Sequence, residues 1–275
     1  MKQENSIAVK PGESCSPGLL SDNTGLRLVA HRGMNELAPE ATLPAYELAG
    51  RHGMWGLKID LCETEDGAFV CSHDWTVDRI FDGQGLITEL SLAQLLDMRV
   101  VRGANVEKYP GQKIVQLDEA LEICSRYRMH PYLNFKLLRN RFSVARVLDI
   151  IRDHGLLDDT LCSCNGDIVE YLYALREVTD VIPIVFWLWD MNLVYGLPVI
   201  RTLGNACLSI NVLPQVSLTQ FENYAETLKD LGMPVCAAMM SRKQLPQLKQ
   251  WMMTTDIALL VTSGITYADL NPGTK

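Results

Sequence analysis

The sequence predicts an α/β protein folded as a single (β/α)8 barrel, on three observations. Short apolar runs of strand length alternate with longer segments whose apolar residues fall on one face. Charged or polar residues share one face of two otherwise apolar strand-like runs. No Pro/Gly-rich linker, internal repeat or low-complexity stretch divides the 275 residues, a length that suits one large barrel.

The strand-like runs fall at residues 26–31, 56–61, 68–73, 131–137, 160–164, 182–188, 206–212, 234–239 and 257–261. A closed barrel needs eight, so one of these nine is expected to be accessory. The Glu65-Asp66-Gly67 turn before residues 68–73 marks that run as the irregular one, because such a turn folds a strand back on its neighbour. Helix starts are expected at Thr42, Ser91 and Ser217, each a side chain able to cap backbone N–H groups ahead of a one-sided apolar pattern. Residues 142–151 read as an amphipathic helix packed on the barrel. The expected organisation is a polar N-terminal arm over residues 1–25, the barrel over 26–270 and a short tail over 271–275.

Composition narrows the function. With 48% hydrophobic and 21% charged residues, the chain is neither disordered nor membrane-spanning, since no apolar run reaches the length a spanning helix needs. A formal charge of −8 opposes sequence-independent binding to nucleic acid, which requires a basic surface. The eight cysteines lack the short paired spacings of a zinc site or a disulfide scaffold, and the first 25 residues lack a secretory pattern. Reduced core thiols in a cytoplasmic protein are the expectation, and a local cationic pocket remains compatible with the net charge.

Strand side chains alternate between faces, so Leu57, Ile59 and Leu61 share one face of their run, and Lys58 with Asp60 share the other. Asn134 and Lys136 stand in the same relation to Leu133, Phe135 and Leu137. Charges inside a barrel are costly unless paired, so such positions near strand ends point to a site. His31-Arg32-Gly33 and His73-Asp74 each follow an apolar run, which brings both histidines to strand ends. Two imidazoles can divide proton removal and proton donation, and the Arg32 guanidinium matches phosphate oxygens. Two further features read as packing: Cys162-Ser163-Cys164 as a barrel strand, and Trp187-Leu188-Trp189-Asp190 as buried aromatics or a pocket wall.

In this order, Ala30-His31-Arg32-Gly33, Ala38-Pro39-Glu40 with Thr42, Lys58-Ile59-Asp60, Glu65-Asp66-Gly67, His73-Asp74 and Asp78-Arg79 resemble the glycerophosphodiester phosphodiesterase family. The resemblance implies a TIM-like barrel that hydrolyses glycerophosphodiesters to sn-glycerol 3-phosphate and an alcohol. It implies general acid and base roles for His31 and His73, a phosphate contact for Arg32, and site positions for Glu40 and Lys136. It also implies a divalent cation, magnesium or calcium, with Asp60 among its ligands. Two departures bear on that cation: Lys58 and Asn134 stand where the family carries ligand glutamates. Hard cations rely on anionic oxygen ligands, and an ammonium among them adds repulsion. Lys58 is therefore expected to take part of the cation's place, paired to Asp60 and contacting phosphate. A tryptophan-bearing strand of the family is also replaced, by Pro234-Val235-Cys236-Ala237-Ala238-Met239. Two alternatives stand beside hydrolysis: a weak or inactive family member that binds phosphorylated ligands, and a lysine-based proton abstraction at Lys58, which the neighbouring Asp60 opposes by keeping the amine charged.

Overall fold

The computed structural model describes residues 18–20, 25–164, 168–188, 193–212 and 216–270. Ten strands run through them: β1 (Arg27–His31), β2 (Gly56–Glu63), β3 (Phe69–Cys71), β4 (Val115–Gln116), β5 (His130–Leu137), β6 (Leu161–Cys164), β7 (Ile184–Leu188), β8 (Ala206–Asn211), β9 (Cys236–Ser241) and β10 (Leu259–Ser263). Eight of them, in the order β1-β2-β5-β6-β7-β8-β9-β10 and back to β1, close into a parallel barrel. β3 and β4 extend it on one side as an antiparallel flap on β2. The accessory run is thus the one following the Glu65-Asp66-Gly67 turn, where Gly67 takes the left-handed conformation and closes the hairpin with a bond to the Thr64 carbonyl. All nine expected runs overlap strands. The two-residue β4 went unread because so short a segment carries no periodicity.

Outside the barrel lie α1 (Leu43–Arg51), α2 (Leu92–Asp97), α3 (Leu117–Tyr127), α4 (Ser143–Asp153), α5 (Glu170–Val178), α6 (Leu193–Leu203), α7 (Leu218–Asp230), α8 (Leu245–Trp251) and α9 (Tyr267–Leu270). Two apolar layers follow from strand alternation. Leu57, Ile59, Leu61, Leu133 and Phe135 point outward to meet the helices, while Val29, Tyr132, Leu161, Val185, Trp187, Cys207, Cys236 and Val261 fill the barrel's interior.

Ser91 and Ser217 cap α2 and α7 as expected, each in a reciprocal capping box with Gln94 or Gln220. Thr42 differs. It occupies the N-cap position of α1 but its hydroxyl donates to the Pro39 carbonyl at 2.6 Å, holding the loop that carries Glu40. Phe142 also differs: it precedes α4 and is 76% exposed, whereas Val144, Val147, Leu148 and Ile151 form the buried face. The expected arm (residues 1–17 and 21–24), the tail (271–275), Cys15, Trp189 and Asp190 lie outside the described residues. Among the described residues, no helix is long and apolar enough to cross a membrane.

Candidate active site

β1 ends on His31, and the chain then turns sharply: Arg32 and Gly33 both take positive φ, +58° and +80°. Gly33 is required twice over, since a Cβ there would lie 2.6 Å from the Ala45 backbone. The turn folds the Arg32 guanidinium back over the barrel mouth. There its Nη1 donates to Glu40 Oε1 at 3.0 Å, and its Nε lies 3.0 Å from Asp60 Oδ2 as an ion pair without hydrogen-bond alignment.

Asp60 is the centre of the arrangement. It is buried on β2, with Lys58 and Asn134 both donating to its Oδ1. Register explains why they converge: Asn134 on β5 is the direct neighbour of Asp60, and Ser163 on β6 the direct neighbour of Asn134. Ser163 donates to Asn134 Oδ1 at 3.0 Å, which orients the amide nitrogen toward the carboxylate. Burial alone would favour the neutral acid, but Lys58, Arg32 and Lys136 hold Asp60 well below the usual carboxylate range. Burial pushes Lys58 the other way, down to about 8, with Asp60 opposing the fall. The Lys58 ammonium also lies over the Trp187 ring, 5.1 Å from its centroid, and the Trp187 indole N–H donates to Tyr132.

A second set of contacts runs along the rim. Glu40 accepts from Arg79 Nη2 at 2.6 Å, Arg79 Nε donates to Asp74 Oδ2, and Asp74 Oδ1 lies 2.7 Å from His73 Nδ1. His73, Asp74, Arg79, Glu40, Arg32 and Asp60 therefore form one continuous polar chain. Lys136 stands apart from it: among the described residues no carboxylate lies within ion-pair distance of its buried ammonium. Among the described residues of this cluster, four cations (Arg32, Lys58, Arg79, Lys136) meet three carboxylates (Glu40, Asp60, Asp74), a surplus of positive charge in a low-dielectric setting.

The two histidines differ in environment. Burial, followed by the nearby Lys58 and Arg32 charges, drives His31 well below its ordinary value, so it is neutral at pH 7. Its Nδ1 meets Ser263 Oγ at 3.2 Å, and its Nε2 is buried with no partner. His73 is about one-third exposed and is also lowered by burial, with Asp60 and the Asp74 contact acting in the opposite sense.

The residues around Asp60 do not fit a divalent cation. Asp60 Oδ1 already accepts from Lys58 and Asn134, Oδ2 lies against the Arg32 guanidinium as an ion pair, and the described residues contain no grouping of three or more histidine, cysteine, aspartate or glutamate side chains that could hold a metal ion.

The structure brings together every residue expected at the site: His31, Arg32, Glu40, Lys58, Asp60, His73, Asn134 and Lys136. Sequence reasoning passed over Asp74, Arg79, Ser163, Ser263 and Tyr132. Asp74 and Arg79 belonged to the quoted motif, and the strand-face rule that exposed Lys58 and Asp60 would have found Ser163. Ser263 lies 232 residues from His31 and becomes its neighbour only because β10 closes against β1.

Solved structures share the fold. A phosphodiesterase from Oleispira antarctica, in complex with the product sn-glycerol-3-phosphate, superposes with a TM-score of 0.73 at 24% identity over 86% of this chain and 93% of that one. A putative glycerophosphoryl diester phosphodiesterase from Silicibacter pomeroyi gives 0.74 at 18% identity over 91% and 94%. Among curated relatives, glycerophosphodiester phosphodiesterase 1 of Mus musculus is 34% identical over 150 residues, which is 54% of this chain and 45% of the relative. Glycerophosphodiester phosphodiesterase of Caldanaerobacter subterraneus is 36% identical over 98 residues, 35% of this chain and 39% of the relative. The match thus spans less than half the length of these curated relatives. Residues 31–238, from the first site histidine to the middle of β9, match the glycerophosphoryl diester phosphodiesterase family, and to that family the chain belongs.

Proposed function

We propose that this protein hydrolyses glycerophosphodiesters to sn-glycerol 3-phosphate and an alcohol, with Lys58 serving in place of the divalent cation that the family resemblance implies. The observation that carries this reading is the pairing of surplus positive charge with a neutral, buried His31 whose Nε2 has no partner. Excess cations in a buried mouth favour an anionic diester, and an unpartnered imidazole nitrogen is a ready acceptor for a hydroxyl proton. The product bound by the Oleispira antarctica neighbour is of the same class.

His31 Nε2 takes the proton from the substrate hydroxyl that attacks phosphorus. As the new P–O bond forms, the bond to the departing alcohol breaks, and His73 supplies the proton that alcohol needs. Asp74 orients His73 and stabilises its imidazolium form, and Arg79 fixes Asp74 against Glu40. Water then opens the cyclic phosphate along the same proton path in reverse. Negative charge growing on the phosphoryl oxygens is met by Arg32, Lys58 and Lys136, which are already in place and need no reorganisation. Because Asp60 is occupied by Lys58 and Asn134, no step is assigned to magnesium or calcium.

That same occupation favours one second reading, a member that binds phosphorylated ligands without turnover, since a single ammonium polarises an attacking hydroxyl less than a doubly charged ion. Release of sn-glycerol 3-phosphate from glycerophosphocholine and glycerophosphoglycerol by chelator-treated protein separates the two. Turnover without added metal, abolished in His31→Ala, is the expected result. Strict dependence on added calcium or magnesium would overturn the lysine role, and binding of sn-glycerol 3-phosphate with no turnover of any diester would leave the binder. The seven described cysteines are all buried, and the Cys207 and Cys236 sulfurs lie 3.8 Å apart, beyond the length of a disulfide bond, which supports a reducing, cytoplasmic setting.

A further inference from the structure

β8 carries polar groups for which neither the fold nor the proposed chemistry accounts. Along Cys207-Leu208-Ser209-Ile210-Asn211, Leu208 and Ile210 join the outer layer beneath the helices, whereas Cys207 lies in the interior layer with its sulfur 3.8 Å from that of Cys236. Alternation therefore aims Ser209 and Asn211 into the barrel as well. Their exposures are 0% and 3%, and Ser209 Oγ and Asn211 Nδ2 have no hydrogen-bond partner. A buried hydroxyl or amide in that condition costs about 1 to 3 kcal/mol. Two of them on successive inward positions of one strand are difficult to explain as packing.

Their position relates them to the phosphate-facing cluster. β8 is four strands from β2 by either route round the barrel, so it forms the wall opposite Lys58 and Asp60. Ser209 is the register partner of Trp187, whose ring lies beneath the Lys58 ammonium, and this sets the depth of Ser209 at that of the lysine. Asn211 is one inward step nearer the mouth, beside Ala238 of β9. A phosphodiester held by Arg32, Lys58 and Lys136 on one side of the barrel can reach this wall by extending one of its organic arms across the axis.

The wall also limits what that arm can be. Its two inward polar groups, a hydroxyl and an amide, are both without a hydrogen-bond partner. Among the described residues, Glu40, Asp60 and Asp74 at the mouth are already paired to cations, and the Trp187 ring meets Lys58. A quaternary ammonium head group carries no hydrogen-bond donor or acceptor and would leave Ser209 Oγ and Asn211 Nδ2 unsatisfied, whereas hydroxyl groups satisfy both. We infer that Ser209 and Asn211 form a subsite for the hydroxyl groups of a polyol arm of the bound diester. This rests on the phosphodiester reading above and, where the arm is the departing alcohol, adds to it a preference for glycerol-like over choline-like groups.

The test compares wild type, Ser209→Ala and Asn211→Ala, using calorimetric binding of sn-glycerol 3-phosphate and steady-state kinetics with glycerophosphoglycerol and glycerophosphocholine. Ser209→Ala should melt no lower than wild type, because it removes a hydroxyl that nothing in the folded protein satisfies; a clear loss of stability would make Ser209 structural and overturn its part. If the subsite holds the glycerol half, each variant binds sn-glycerol 3-phosphate about tenfold more weakly. If it holds the departing alcohol, that binding is unchanged, while KM for glycerophosphoglycerol rises about tenfold with kcat retained and KM for glycerophosphocholine stays put. Wild-type values throughout, or an equal rise for both diesters with product binding unaffected, would refute the subsite. A wild type that neither binds the product nor turns over any diester defeats the phosphodiester reading, and this inference with it.

Discussion

Lys58→Met is the substitution that most directly tests whether the buried ion pair replaces a metal in holding Asp60. Methionine has nearly the length of lysine without its charge, so packing against Trp187 is retained while Asp60 loses its ammonium. A unit charge pair about 4 Å apart is worth roughly 4 kcal/mol at an effective dielectric near 20, and breaking a buried pair at one end costs about 3–5 kcal/mol. Asp60 keeps the Asn134 amide and the Arg32 guanidinium, which places the expected loss near the lower bound, about 3 kcal/mol. For a chain of this size that corresponds to a fall in Tm of about 6–12 °C. Urea denaturation of Lys58→Met, Asp60→Asn and the double variant, followed by circular dichroism, closes a double-mutant cycle. The double variant, with neither charge left to bury, should recover most of the loss. If Lys58→Met costs less than about 1 kcal/mol, or the two losses simply add, the pair is not holding the site and the reasoning fails.

Lys136→Met should behave in the opposite way, because the Lys136 ammonium has no carboxylate partner among the described residues: Tm holds or rises while calorimetric affinity for sn-glycerol 3-phosphate falls at least tenfold, about 1.4 kcal/mol. His31 has a folded-state value below that of the unfolded chain, so its contribution is fully present above about pH 6.5 and is lost as pH falls toward the folded value, by up to about 1.4 kcal/mol per pH unit. Urea midpoints at pH 7.5 and 5.5 should therefore converge more closely in His31→Gln than in wild type; an unchanged gap would show that His31 titrates normally. Arg79→Ala frees the Asp74 carboxylate and removes a positive charge from the neighbourhood of His73, so the His73 imidazole should titrate at higher pH by NMR, with stability altered by no more than about 1 kcal/mol since Arg79 is half exposed. Gly33→Ala should destabilise by more than about 2 kcal/mol and weaken phosphate binding, because the added methyl meets the Ala45 backbone at a positive φ; a variant with wild-type Tm would remove the argument for the turn.

What the sequence by itself determined is local in origin. Strand alternation was enough to place Lys58 with Asp60 and Asn134 with Lys136 inside a barrel, since the period of two depends on the backbone of one strand alone. The end of an apolar run located His31 and His73, and the Glu65-Asp66-Gly67 turn identified the accessory strand. Capping chemistry located the starts of α2 and α7, because Ser and Gln three residues apart satisfy each other without help from the rest of the chain. Thr42 marks the limit of such reasoning: its hydroxyl had two acceptable uses, and the tertiary path of the Glu40 loop selected the Pro39 carbonyl over the helix end.

Tertiary structure decided the contacts that couple distant segments. Ser263 reaches His31 only when the last strand closes on the first, and Ser163 steers Asn134 only through the β5–β6 register. The Glu40–Arg79–Asp74 bridge joins residues up to 39 positions apart through loops that have no periodicity to read. Which partners Asp60 would have was likewise undetermined in the sequence, because a carboxylate surrounded by an ammonium, an amide and a guanidinium differs from a metal ligand only in what converges on it. The same closure set Ser209 and Asn211 across from Lys58 and Asp60. Pairing across a barrel axis depends on strand order and closure, and neither is encoded in the alternation of any single strand.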